Sequence, residues 1–273
     1  MRSASRFLSF KPAAATAAMI LAATLAGCAP AGQDGQNGTN DGGTPGAGGS
    51  VTVFAAASLK AAFTELAGEF EARNPGTKVT LSFAGSADLV TQVSQGAPAD
   101  VFASADTRNM AKLQDEGLVE GEPRNFASNT LTIVVPPGNP AGITGFGDLA
   151  RAGVKVVVCA GQVPCGAAAR TIEQESGTTL SPVSEESSVT DVLGKVTSRE
   201  ADAGLVYVTD ARTAVGKVES VPVPEAATAV NTYPIATVKG ARNKQAADAF
   251  VDLVLGSEGR AVLDSAGFGD PLP

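Results

Sequence analysis

The chain has 273 residues, 44% apolar and 18% charged, and its 28 acidic residues outweigh 20 basic ones for a net charge of −8. An acidic chain of this size is a poor partner for nucleic acid. Histidine and tryptophan are absent, so the most usual transition-metal ligand and the commonest general base are both missing, and no metal-cation site is expected.

Arg2, Arg6 and Lys11 form a positive leader, and an Ala/Leu-rich apolar stretch runs from Ala13 to Leu25. At about a dozen residues it is too short for a permanent membrane span, so residues 1–27 are predicted to be a cleaved export signal. The stretch ends in Leu25-Ala26-Gly27-Cys28, which resembles the lipobox of bacterial lipoproteins. That resemblance implies cleavage before Cys28, lipidation of its thiol and amine, and anchorage to the outer face of the cell membrane. A plain secretory signal with an incidental cysteine is the alternative, and both readings export the protein. Residues 28–50 follow as a tether: from Ala31 to Ser50, eight of twenty residues are glycine, with no apolar face to offset the entropy of ordering. Behind the signal remain 17 basic and 28 acidic residues, a net charge of −11.

The body from Val51 to Pro273 suits one large or two medium domains. It opens on a β-type run, Val51 to Ala55, and then Leu59, Ala62, Phe63, Leu66 and Phe70 mark one face of a helix. Asn74-Pro75-Gly76 stops that helix, and Lys78 to Phe83 is a predicted strand. Alternation continues with a helix over 86–95, a strand over 100–103, a helix over 106–116, and strands over 130–135 and 155–159. Helices over 165–176 and 189–199 precede a strand over 203–207. The chain ends with a strand over 234–238 and helices over 245–255 and 257–266. Repeated strand–helix units predict an α/β fold with largely parallel sheets, whose ligands bind beyond the carboxyl ends of the strands.

Four strand-to-helix junctions place polar donors at a helix start: Phe54 to Leu59 with Ser58, Ser82 to Ser86 with Ser86, Gln162 to Ala167 around Cys165, and Ser187 to Val192. Helix N-termini offer free N–H groups and the positive end of the macrodipole, so they suit anions. Each serine, predicted at an N-cap position, can equally be a plain cap. Asp88, Asp100, Asp191 and Asp210 read as capping or packing residues, and Lys60 and Lys195 as solvated side chains.

The runs Val53 to Leu59 and Gly96 to Asp106, with Ala203 to Ala211, Tyr233 to Ala236 and Gly256 to Gly269, resemble the periplasmic molybdate-binding proteins of ABC transporters. The resemblance covers nearly all of 51–273. It implies a type II periplasmic binding protein: two α/β lobes joined by two crossover strands near Leu131 and Thr232, one lobe of 51–130 with 233–273, the other of 131–232. It implies a monomer that captures molybdate or tungstate without a cofactor, closes its lobes, and presents the ion to an ABC permease. The implied contacts are Ser58, Ser86 and the hydroxyl of Tyr207, with the backbone amides of Cys165 and Val192. Tyr207 can alternatively be a core tyrosine at a strand end. The family commonly has alanine at position 165; Cys159 and Cys165, six apart in an oxidising compartment, suggest a disulfide here, with two free thiols as the alternative.

Three other readings compete. A binder of sulfate or another tetrahedral oxyanion would use the same fold. A hydrolase using Ser58 or Ser86 would need a Ser–Lys arrangement, since histidine is absent and neither serine lies in Gly-x-Ser-x-Gly. An anchored structural lipoprotein would bind no small ligand.

Overall fold

A computed structural model describes residues 49–272. The expected signal segment, lipid attachment at Cys28, and all of the tether but its last two residues lie outside the described residues. Gly49 and Ser50 open the first strand, so that strand begins two residues earlier than Val51.

Strand β1 (Gly49–Ala56) passes through a 3-10 turn, Ala57–Leu59, into α1 (Lys60–Arg73). Then come β2 (Thr77–Ala84), α2 (Ser86–Ser94), β3 (Val101–Ala103), α3 (Thr107–Asp115) and β4 (Val119–Asn129). The middle of the chain forms β5 (Leu131–Val135), β6 (Val156–Cys159), α4 (Pro164–Ser176), β7 (Ser184–Glu186), α5 (Val189–Thr197), β8 (Ala203–Tyr207), α6 (Val208–Thr213) and β9 (Glu219–Val221). The last elements are β10 (Asn231–Val238), α7 (Lys244–Leu255) and α8 (Ser257–Ala266).

Two five-stranded sheets result, ordered β2-β1-β3-β10-β4 and β7-β6-β8-β5-β9. β1 runs parallel to β2 and β3, and β6 parallel to β7 and β8. β10 runs against β3 and β4, and β5 against β8 and β9. The sheets are therefore mixed, where the strand–helix alternation predicted largely parallel ones. The antiparallel strands are the ones that arrive from the other sheet: β5 continues directly from β4, and β10 follows β9. Asn129 pairs with Asn231 at the last rung of the first sheet, where both crossings leave it.

Each sheet carries its own core. The predicted α1 stripe is buried, with Leu59, Phe63 and Leu66 fully enclosed, and Phe250 of α7 meets Phe63 and Phe70 edge-on at 6.0 and 5.5 Å. Burying one such side chain contributes about 1.5–3 kcal/mol. Ile133, Val157, Ile172, Val192 and Leu205 centre the second core. Ala57, from the 3-10 turn before α1, packs into that second core, so the two halves meet beside the first helix start.

Candidate functional site

Where the halves meet, a small, partly open cavity lies at the strand-to-helix junctions. Ser58, Ser86, Cys165 and Tyr207 all line it, together with Gly85, Ala105 and Val189. Its volume is about 10 Å³, far below the several hundred that organic ligands occupy. Hollows of about 220 and 310 Å³ lie beside it, but neither brings Ser58, Ser86 and Tyr207 together.

The two serines are not caps, contrary to expectation. Ser58 sits inside the 3-10 turn, and the N-cap of α1 is Leu59. Ser86 is the first residue of α2, whose N-cap is Gly85. The N-cap of α4 is Val163, with Pro164 opening the helix. None of these starts has a capping side-chain hydrogen bond, because alanine, leucine, glycine and valine offer no acceptor. Their leading amides lack a capping side chain, although those of Lys60 and Asp88 already bond the Ala57 and Gly85 carbonyls; helix starts of this kind suit an anion.

The hydroxyls are arranged to donate. Ser86 Oγ is 1% exposed and accepts from the Ala105 amide at 3.0 Å, so its own proton is available for the cavity. Ser58 Oγ lies 3.0 Å from Tyr233 Oη. Tyr207 Oη is buried without a hydrogen-bond partner among the described residues, though its ring stands edge-on to Tyr233 at 5.9 Å. Burial, with the neighbouring Tyr233, Asp106 and Asp210, pushes the Tyr207 phenol well above its ordinary range. Burial likewise raises Tyr233. Both phenols therefore stay protonated.

Cys165, second residue of α4, is bonded to Cys159 with an S–S distance of 2.05 Å. Val192 does not line the cavity, and this corrects the expectation for that residue. It is the fourth residue of α5, so its amide already makes the first helical bond, to the Ser188 carbonyl at 3.4 Å, and its side chain is fully buried in the second core. Val189, the first residue of that helix, takes the position on the cavity wall. Ser188 is a true cap, accepting from the Asp191 amide at 3.3 Å.

The remaining candidates hold structure together. Asp100 accepts from the Thr52 and Arg242 amides, both at 2.7 Å, and Asp191 accepts from Ser188 Oγ at 2.7 Å. Asp88 lies in the first turn of α2 and Lys60 is exposed. Lys195, expected to be solvated, is a third exposed and also pairs with Glu186 at 2.5 Å. Asp210 is 4% exposed with Oδ2 unpartnered; burial pushes its carboxyl up to about 7, against a backbone hydrogen bond at Tyr207. Tyr233, which orients Ser58, carried no site role in the sequence reading; its rung opposite Ala127 on β4 sets it there.

Among the described residues, no charged side chain lines the cavity. Such a site can hold an anion by uncharged donors alone and has no base beside either serine to activate it for attack.

The chain matches the family of bacterial extracellular solute-binding proteins over residues 51–269. It is 53% identical over 222 residues to a Mycobacterium tuberculosis protein named molybdate-binding protein ModA, covering 81% of this chain and 85% of that one. The molybdate-binding protein ModA of Escherichia coli is 33% identical over 230 residues, 81% of this chain and 89% of that one. A solved structure, the periplasmic molybdate-binding protein of Azotobacter vinelandii, shares the fold with a TM-score of 0.71 at 23% identity, over 81% of this chain and 100% of that one.

Proposed function

The chain belongs to the bacterial extracellular solute-binding proteins, and we propose that it captures molybdate, or the isostructural tungstate, between its lobes for delivery to the permease of an ABC importer. It is a binding protein and not an enzyme, and no cofactor is involved. The ligand reading is supported by Ser58, Ser86, Cys165 and Tyr207 lining one cavity that, among the described residues, has no charged side chain; the three hydroxyls and the first-turn amides of Ser86 and Cys165 are its proposed donors. The Val189 amide completes this set.

A bare tetrahedral dianion has only acceptors to satisfy, and a donor-only pocket replaces its water shell in kind. Monohydrogen phosphate would bring a proton with no acceptor to receive it, at a cost of about 1–3 kcal/mol. Sulfate has the charge and shape of molybdate but is smaller, so only pocket size can tell the two apart; the choice of molybdate rests on the likeness to the molybdate-binding relatives.

Leu25-Ala26-Gly27-Cys28 supports export and a lipid on Cys28, which would leave the body as a tethered monomer outside the cell. Incorporation of labelled fatty acid that survives Cys28→Ala would remove the anchor from this reading. Calorimetric titration with molybdate, tungstate, sulfate and phosphate tests the ligand. The expected order is tight binding of the first two, at least ~100-fold weaker sulfate, equivalent to roughly 3 kcal/mol, and no phosphate. Equal affinity for sulfate would move the assignment to a general oxyanion binder.

A further inference from the structure

Two contacts across the cleft make no use of the ligand donors. Arg108, at the start of α3 on the first-sheet side, donates through Nη2 to the carbonyls of Gly161 and Gln162 at 3.2 and 3.1 Å. Asn109 adds a longer contact to the Gln162 carbonyl at 3.4 Å, and is itself held by Asp106, which accepts from its amide at 2.8 Å. Gly161 and Gln162 lie inside the loop closed by the Cys159–Cys165 bridge. That loop also carries the Cys165 amide to the cavity. A grip on its carbonyls is therefore a grip on one wall of the site.

The second contact is at Gly85. Its backbone, with φ −60° and ψ 140°, is one that any residue adopts. Nothing local calls for glycine. What does is the opposite lobe: a Cβ at position 85 would stand 2.0 Å from the Ser187 carbonyl oxygen, which is backbone and cannot swing aside. Parting the lobes would free that space.

We propose that Gly85 and Arg108 set the closed state of the cleft, and through it the residence time of the bound oxyanion. Gly85 does so by leaving room for the lobes to meet, and Arg108 by clasping the disulfide-closed loop of the opposite lobe. Both are positioning residues, acting on the ligand through closure; the proposal rests on the oxyanion-binding reading of the same cavity.

The chain's two tyrosines, Tyr207 and Tyr233, both stand at the site, and it has no tryptophan, so intrinsic tyrosine fluorescence can follow molybdate directly. Stopped-flow association and dissociation of molybdate should be compared for wild type, Gly85→Ala, Arg108→Ala and Arg108→Lys. Gly85→Ala should release molybdate at least ~10-fold faster; Arg108→Ala, outside the cavity wall, should release it several-fold faster with an association rate and unliganded melting temperature close to wild type. Arg108→Lys, which keeps a donor, should recover part of the loss. Small-angle scattering should find the molybdate-induced compaction of the wild type reduced in Gly85→Ala. Wild-type release rates in both Gly85→Ala and Arg108→Ala would overturn the proposal while leaving the oxyanion function standing. A lowered unliganded melting temperature without faster release would reduce both residues to structural roles. A wild type that binds no oxyanion would remove the functional reading, and this proposal with it.

Discussion

Tyr233 Oη and Ser58 Oγ stand 3.0 Å apart, joining a strand of the first sheet to the first helix start. Burial holds the phenol in its protonated form, so it can donate to Ser58 and free the serine proton for the cavity. Tyr233→Phe should keep the ring contacts with Phe126 and Phe268 and lose the bond to Ser58 together with the hydroxyl's interactions with Asn129 and Tyr207. Molybdate affinity is expected to fall ~3–10-fold, in line with one neutral hydrogen bond of about 1 kcal/mol. Ser58→Ala should cost more, and the double variant little beyond Ser58→Ala, because the tyrosine acts through the serine. Additive losses in calorimetry would contradict that coupling.

Ser86 differs from Ser58 in what it leaves behind. Its Oγ is the partner of the buried Ala105 amide, so Ser86→Ala strands a donor as well as removing one from the cavity. The variant should lose molybdate affinity and also about 1–3 kcal/mol of unliganded stability. Denaturant unfolding checks the second effect. An unchanged midpoint would mean that water takes the serine's place at Ala105.

The elements that place Ser58, Ser86 and Cys165 were legible because their helices bury regular apolar stripes behind them. Strand β4 was not. Its sequence, from Val119 to Asn129, is polar with a proline, and only its last four residues are buried. It lies at a sheet edge with bulges opposite Tyr233 and Ile235, where proline is tolerated and alternation fades. The assignment of Val192 was a turn too far along α5, although Ser188 with Asp191 three residues on is a capping signature that puts the free amides at Val189 and Thr190. The pairing of Arg108 with Gly161 and Gln162 could not be read at all, since backbone carbonyls leave no mark in a sequence.

Proline at position 189 separates the two candidate amides of α5. The first helical position favours proline, whose missing N–H is unbonded there anyway, and Ser188 has the extended backbone that a following proline requires. Val189→Pro should therefore leave the fold intact by circular dichroism and weaken molybdate at least ~10-fold through one lost donor to a charged ligand. Full-strength binding by a folded Val189→Pro protein would take the Val189 amide out of the site.

Asp210 gives the site a pH dependence whose sign follows from its burial. The carboxyl titrates at about 7 in the folded chain, against about 3.9 when unfolded. Between those values the folded form keeps a proton that the unfolded form has lost. Its contribution to stability is thus greatest below pH 4, declines as pH rises towards 7, and is level above that. The same ionisation places a negative charge near Tyr207, where it opposes a bound dianion. Molybdate affinity should therefore fall several-fold from pH 6 to pH 8, and Asp210→Asn should flatten both this slope and the stability slope between pH 4 and 7. Molybdate is fully deprotonated across the binding window, so a residual slope in Asp210→Asn would have to come from another group on the protein, and an unchanged one would clear Asp210 of any part in it.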